Sequence, residues 1–143
     1  MVYAEEVNFW MTGKSSTDVW MERTKKQIVE LGGAVKAEGF GSDDRGRAAF
    51  MLGFTIGADS FKIIWPVLQS QTGKALAARV QAATMLYHYI KSVCLYAVIV
   101  GARSAFFTHL MLPDGRIASQ VADNELLELA PQIFLLSAGR KEG

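Results

Sequence analysis

Between Gly73 and Gly101 the stretch "ALAARVQAATMLYHYIKSVCLYAVIV" contains neither proline nor glycine. Nothing in it breaks a helix, and at 1.5 Å per residue the segment predicts a rod about 40 Å long. Leu76, Val80, Ala83, Tyr87, Ile90, Cys94 and Ala97 recur at helical spacing. The first half is amphipathic, and the second half, "VCLYAVIV", is apolar nearly all round. A helix of that kind needs cover from more than one side. The candidates are an earlier helix, the C-terminal segment or a second copy of the chain. The fully apolar run lies between Lys91 and Arg103, too short for a bilayer span of about 20 residues, and reads as a buried helix in a chain with no membrane partner.

The cover is sought in the preceding residues. "RAAFMLGFTI" alternates with period two: Ala48, Phe50, Leu52, Phe54 and Ile56 point one way, and Arg47, Ala49, Met51, Gly53 and Thr55 the other. "GADS" supplies a turn. Phe61, Ile63 and Trp65 then alternate with Lys62 and Ile64 until Pro66 ends the strand. "AVKAEGF" reads as an earlier strand, so short loops join an antiparallel meander. "SSTDVWMERTKKQIVELGG" reads as a helix capped by Ser16 or Thr17, with Asp18 in its first turn. Its apolar stripe is Trp20, Thr24, Ile28 and Leu31, and Gly32-Gly33 ends it. "RSAFFTHLML" favours helix over a short strand, "LPDGR" is a turn, and "ASQVADNELLELAPQ" reads as one or two short helices. The expected fold is α+β: a three- or four-stranded antiparallel sheet packed against a long central helix, with N- and C-terminal helices. Residues 1–14 form an arm, with Tyr3, Phe9 and Trp10 to pin it. Residues 15–136 form a single domain, and residues 137–143 a flexible tail.

Composition bounds the class. With 50% hydrophobic and 20% charged residues in 143, the chain is globular and large enough to bury a core without a staple. Cys94 is its one cysteine, which excludes an intrachain disulfide and suggests a reducing, cytoplasmic setting. "MVYAEEVNFW" has acids where a signal peptide has bases. Net charge is only +1, yet residues 45–103 hold seven bases (Arg45, Arg47, Lys62, Lys74, Arg79, Lys91 and Arg103) against the single acid Asp59. The remainder is net −5. Such asymmetry hints at a polarised surface.

Catalytic chemistry finds little footing. Gly73-Lys74 resembles half of a phosphate loop, but Leu68 and Ala75 stand where the full motif needs Gly and Ser or Thr. A helix start beside a lysine still suits one phosphate of a polymer. His88 and His109 have no companion at metal-ligand spacing. Asp43-Asp44 in a glycine-flanked loop reads as a solvated turn, and Ser104 lacks a base. The expectation is no enzyme, no metal and no cofactor. A single-strand binding surface combines bases that follow phosphates with aromatic faces that stack on nucleobases. The candidates are Arg45, Arg47, Phe54, Phe61, Lys62, Trp65, Lys74 and Arg79, with Trp10 and Trp20 as further stackers. The competing reading makes the hairpin aromatics core, since period-two apolar residues are buried by default.

The succession "TKKQIVELGG", "FKIIWPV", "AARVQAATMLYHYIKSVCLYAVIVGA" and "FFTHLMLPDGR" resembles a family of small phage and prophage proteins that carries no assigned function. The resemblance covers residues 20–122, with "LPDGR" its most specific piece. In architecture the pattern is also similar to the non-OB single-stranded DNA-binding proteins of some archaea, without a residue-level motif. These resemblances imply sequence-independent binding of single-stranded nucleic acid, DNA favoured, in a phage-type replication or recombination accessory. The alternative is a structural or adaptor protein that binds another protein, of viral origin for instance, through exposed apolar surface. Either way the helix's apolar half predicts a homodimer or higher oligomer.

Overall fold

Glycine and proline punctuate the chain where the sequence expects. In the computed structural model, which describes residues 1–121, α1 spans Thr17–Glu30, β1 Ala34–Ser42, β2 Ala48–Ile56, β3 Asp59–Pro66, α2 Ala75–Val100 and α3 Ala102–Ala105. The order β1-β2-β3 is an antiparallel meander, so the fold is α+β. Ser16 caps α1 through its hydroxyl, which accepts from the Val19 N–H. Gly32, at φ +99°, turns the chain out of α1. A two-residue turn at Gly57 and Ala58, with positive φ at Gly57 only, closes β2 onto β3. Of the helices expected over "ASQVADNELLELAPQ", the start is a 3-10 turn at Ala118–Gln120; the rest, from residue 122, and the tail lie outside the described residues.

The inner face of the sheet carries the core. Phe50, Leu52 and Phe54 of β2 and Phe61 and Ile63 of β3 are buried. Phe54 stacks on Phe61 with ring centres 5.3 Å apart, and Phe106 meets Phe54 edge-on at 5.2 Å. Against these sit Ala82, Ala83, Leu86 and Ile90 of α2 and Met21 and Ile28 of α1. Burying a Phe or Leu side chain fully is worth about 1.5–3 kcal/mol, so this one cluster dominates stability. The expected stripe on α2 holds at Ala83, Ile90, Cys94 and Ala97 but fails at Leu76, which is exposed. Near its start the helix turns Ala78 and Gln81 inward instead, because the N-terminal arm packs there.

The segment after α2 mixes helix and strand. α3 and a 3-10 turn at Phe107–His109 lead to Leu110, which bridges Phe61 antiparallel, and Met111 bridges Ile117 across the "LPDGR" turn. The sheet thus gains a bridge-length fourth and fifth edge rather than full strands. Arg103 of α3 reaches back to the start of β3, donating to both oxygens of Asp59 at 2.9 and 2.6 Å. Both side chains are nearly buried. Two of the charges that polarised the sequence therefore cancel inside the fold.

The apolar half of α2 is only half covered. Cys94 and Ala97 face inward, and the Cys94 thiol donates to the Gln27 carbonyl of α1 at 3.8 Å. Leu95, Tyr96, Val98, Ile99 and Val100 are exposed. By length and composition α2 is apolar enough to cross a bilayer, unlike the shorter run judged from sequence, and a third of its most apolar window is buried within the fold.

Replacing Asp59 by Ala leaves the Arg103 guanidinium buried without its carboxylate. Urea unfolding should show a loss of about 3–5 kcal/mol; a loss below 1 kcal/mol would mean the pair does not hold α3 to the sheet.

Candidate nucleic-acid interface

Strand alternation sorts the expected site residues into two groups. Phe54 and Phe61 are buried in the core, so neither ring can stack on a nucleobase. Trp65 is half-buried and packs on Tyr89 with ring centres 5.1 Å apart. Lys62 lies one residue from Phe61, which puts it on the opposite face of β3. A platform with bases and these aromatics interleaved on one face does not exist, because the period that makes the hairpin visible also separates the two kinds of side chain.

The exposed bases gather elsewhere, at the rim where the sheet meets the start of α2. The loop from β1 to β2 is built on Asp43. One carboxylate oxygen accepts from the N–H groups of Arg45 and Arg47, at 2.9 and 2.8 Å, and the other from Arg47 Nε at 2.8 Å. Burial works to raise the Asp43 pKa, but the hydrogen bonds from Arg47 and Arg45 outweigh it and hold the carboxyl below the usual range. Asp43 is thus a turn-forming residue whose charge neutralises much of Arg47. Arg45, Arg47 and Lys62 line a cleft of about 300 Å³ with His109 and Ile64. Arg47 also lines a second cleft of about 760 Å³, floored by Pro66, Val67 and Ala78, and Arg79 forms its other side. Arg79 in turn borders a third, of about 930 Å³, with Phe40, Leu76, Met21 and Lys14. Arg47 and Arg79, each shared by two clefts, make the three neighbours around this rim. Acids are present along it: Asp44, Asp18 and Glu38, the last held by Lys25 at 2.9 Å.

Phe40 is the aromatic that sequence reasoning passed over. It pairs with Phe50 across β1 and β2, and the rings meet edge-on at 4.9 Å. Phe50 is buried, whereas Phe40, nearer the sheet edge on β1, stays 42% exposed beside the first turns of α2. The Arg79 guanidinium lies 4.4 Å from the Phe40 ring centre, a cation–π contact. Nothing local in "AEGFGS" signals that exposure.

Lys74 is the N-cap residue of α2 and is exposed, its ammonium 3.9 Å from the Met11 sulfur. The loop before it already holds an anion from its own chain. The Glu5 carboxylate accepts from the Thr72 hydroxyl at 2.6 Å, the Ser70 hydroxyl at 2.8 Å and the N–H groups of Gln71 and Thr72 at 2.9 and 3.1 Å. The Thr72 hydroxyl contributes most to pulling the Glu5 pKa down from 4.5 to about 2. Glu5 therefore occupies the donors of residues 70–72, just ahead of Lys74 and the start of α2. The buried Gln81 amide donates to the carbonyls of Ala4, Val7 and Asn8 at 2.8 to 3.1 Å, and Phe9 stacks on His88 at 4.9 Å. Phe9 sits at φ +70° and Met11 at φ +51°, strained backbone for side chains of that size. Glu5 and Gln81 carry the arm, and the sequence marks neither.

Other reactive groups are subdued. Burial pushes the Cys94 thiol up to about 11, which suppresses the thiolate. His109 Nε2 lies 2.7 Å from the Tyr89 hydroxyl, and burial lowers the His109 pKa while raising that of Tyr89. Among the described residues no three His, Cys, Asp or Glu side chains converge as a metal site would require. No protein-family model, curated protein or solved structure matches the chain.

The Glu5 anchor gives a pH dependence of definite sign. A carboxyl whose pKa falls on folding stabilises above its unfolded value and loses that contribution as pH drops through the folded value. Arm docking should persist at pH 5 and weaken progressively from about pH 4.5 toward pH 2. Glu5→Gln should raise amide hydrogen exchange in residues 3–9 at neutral pH while the strands stay protected. Unchanged exchange would show that the carboxylate does not anchor the arm.

Proposed function

We propose that the protein binds single-stranded nucleic acid, DNA in preference, without sequence selectivity, as a phage-type replication or recombination accessory. The observation that carries this reading is the Arg79–Phe40 pair at the junction of two clefts. A single strand offers both a phosphate for the guanidinium and an unpaired base for the ring, whereas a duplex hides its base faces. Arg47, partly neutralised by Asp43, leads to the neighbouring cleft with Arg45 and Lys62, and Lys14 borders the cleft at the Phe40 end. The chemistry asked of the protein is binding alone, with no cofactor.

A second reading has its own observation. The exposed apolar end of α2 suits docking of another protein. Salt separates the two, because binding to a polyanion weakens steeply as salt rises and an apolar interface does not.

Fluorescence anisotropy with labelled single- and double-stranded oligonucleotides tests the proposal. Phe40→Ala should weaken single-strand binding by about 1–3 kcal/mol. Arg79→Ala should reduce the salt slope by about one unit for every sequence tried. Trp65→Ala should act on stability instead. If no oligonucleotide binds at low salt, or if Phe40 and Arg79 substitutions leave binding untouched in a folded protein, the reading is wrong.

A further inference from the structure

We infer that two copies of this chain pair through the C-terminal half of α2, antiparallel about a twofold axis between Leu95 and Tyr96. Leu95, Val98 and Ile99 are 70–78% exposed and form one stripe with Lys91 and Ser92. These spacings of three and four residues place them on a single face. The face opposite is already committed, with Ile90, Cys94 and Ala97 buried within the fold. What projects outward is a patch of large apolar side chains at the end of a 26-residue helix.

The charge pattern selects a second copy as the occupant. From Ser92 to Val100 α2 has no charged residue, and its last turn contains no basic side chain to meet its negative helix end. Lys91 is exposed at the other end of the stripe. In an antiparallel pair centred between Leu95 and Tyr96, Lys91 of each helix lies opposite Val100 of the other. Each ammonium then approaches the C-terminal carbonyls of its partner, and Ser92 faces Ile99. The patch is self-complementary in shape and charge, as a twofold interface requires. A lipid surface would call for several cations around the apolar patch. Lys91 is the one cation in the second half of α2, and Arg103, just past its end, is committed to Asp59.

The pairing predicts a reversible dimer of the full chain, read by sedimentation velocity over a range of concentrations with no nucleic acid present. Leu95→Glu combined with Ile99→Glu should raise the dissociation constant by at least about a hundredfold, since each charge would be buried against apolar surface. Both positions are exposed, so circular dichroism should report an unchanged fold. Lys91→Glu, which sets a negative charge against the partner's helix end, should raise it by about fivefold. A chain that stays monomeric at high micromolar concentration overturns the inference. So does a dimer indifferent to either variant, or a monomer that instead floats with neutral or anionic phospholipid vesicles. None of these outcomes depends on whether the chain binds oligonucleotides.

Discussion

The burden of covering α2 organises everything else. A helix of 26 residues with so few charges cannot stand in water alone, and a three-stranded sheet is too narrow to wrap it. The fold divides the task. The sheet covers its middle through Phe54, Phe61 and Ile63, and α1 lies along its flank through Met21 and Ile28. The arm takes the beginning, where a polar residue, Gln81, is buried and satisfied by three arm carbonyls. A buried amide without those partners would cost about 1–3 kcal/mol, so Gln81 also specifies where the arm must go. Among the described residues the cover stops at Cys94 and Ala97, and Leu95, Val98 and Ile99 stay exposed.

The same economy of cover explains where binding chemistry can sit. Large aromatic residues on the inner face are consumed by the core. Their neighbours on the strands point the other way, so bases and rings cannot alternate on one surface. They meet instead off the strand faces: on the helices, where Arg23 lies over Trp20 and Lys91 over Tyr87, and at the corner where β1 runs past the start of α2 and leaves Phe40 beneath Arg79. The hairpin loop brings Arg45 and Arg47 to the same rim through the hydrogen bonds of Asp43. Asp59 and Arg103, close in charge count to these residues, serve an internal tie instead.

How much of this was legible follows from the range of each interaction. The strands, their alternation, the end of α1 at Gly32 and the extent of α2 are local, and local pattern shows them. So does the role of Asp43, since its partners lie two and four residues away. Glu5 and Gln81 act across more than sixty residues, and no periodicity records such contacts. Leu76 carried the helical spacing but turned outward, because the arm rather than the sheet decides which face is inside at that end. Trp65 and Phe61 were visible as ring-bearing strand residues; only the packing of Phe106 and Tyr89 against them shows that their faces are taken. Phe40 was hidden for the converse reason: its cover comes from Arg79, thirty-nine residues on, and from Phe50, and these leave its ring 42% exposed.

The two proposed surfaces occupy opposite ends of one rigid element. Arg79 and Leu95 are sixteen residues apart on α2, about 24 Å along the axis. Pairing at the C-terminal end therefore leaves the clefts near the N-terminal end open. Antiparallel helices would place the two sets of clefts at opposite ends of the dimer, roughly 48 Å apart measured along the helix axes. A strand long enough to reach both would be held twice, with the second contact strengthened by effective concentration alone. The arm adds a local constraint at each end. Met11 and Lys14 border the 930 Å³ cleft, and they follow the segment that Glu5 and Gln81 anchor. Cleft shape thus depends on contacts made by the arm, Glu5 with residues 70–72 and Gln81 with three arm carbonyls, and not on the packing of the sheet and α1 alone.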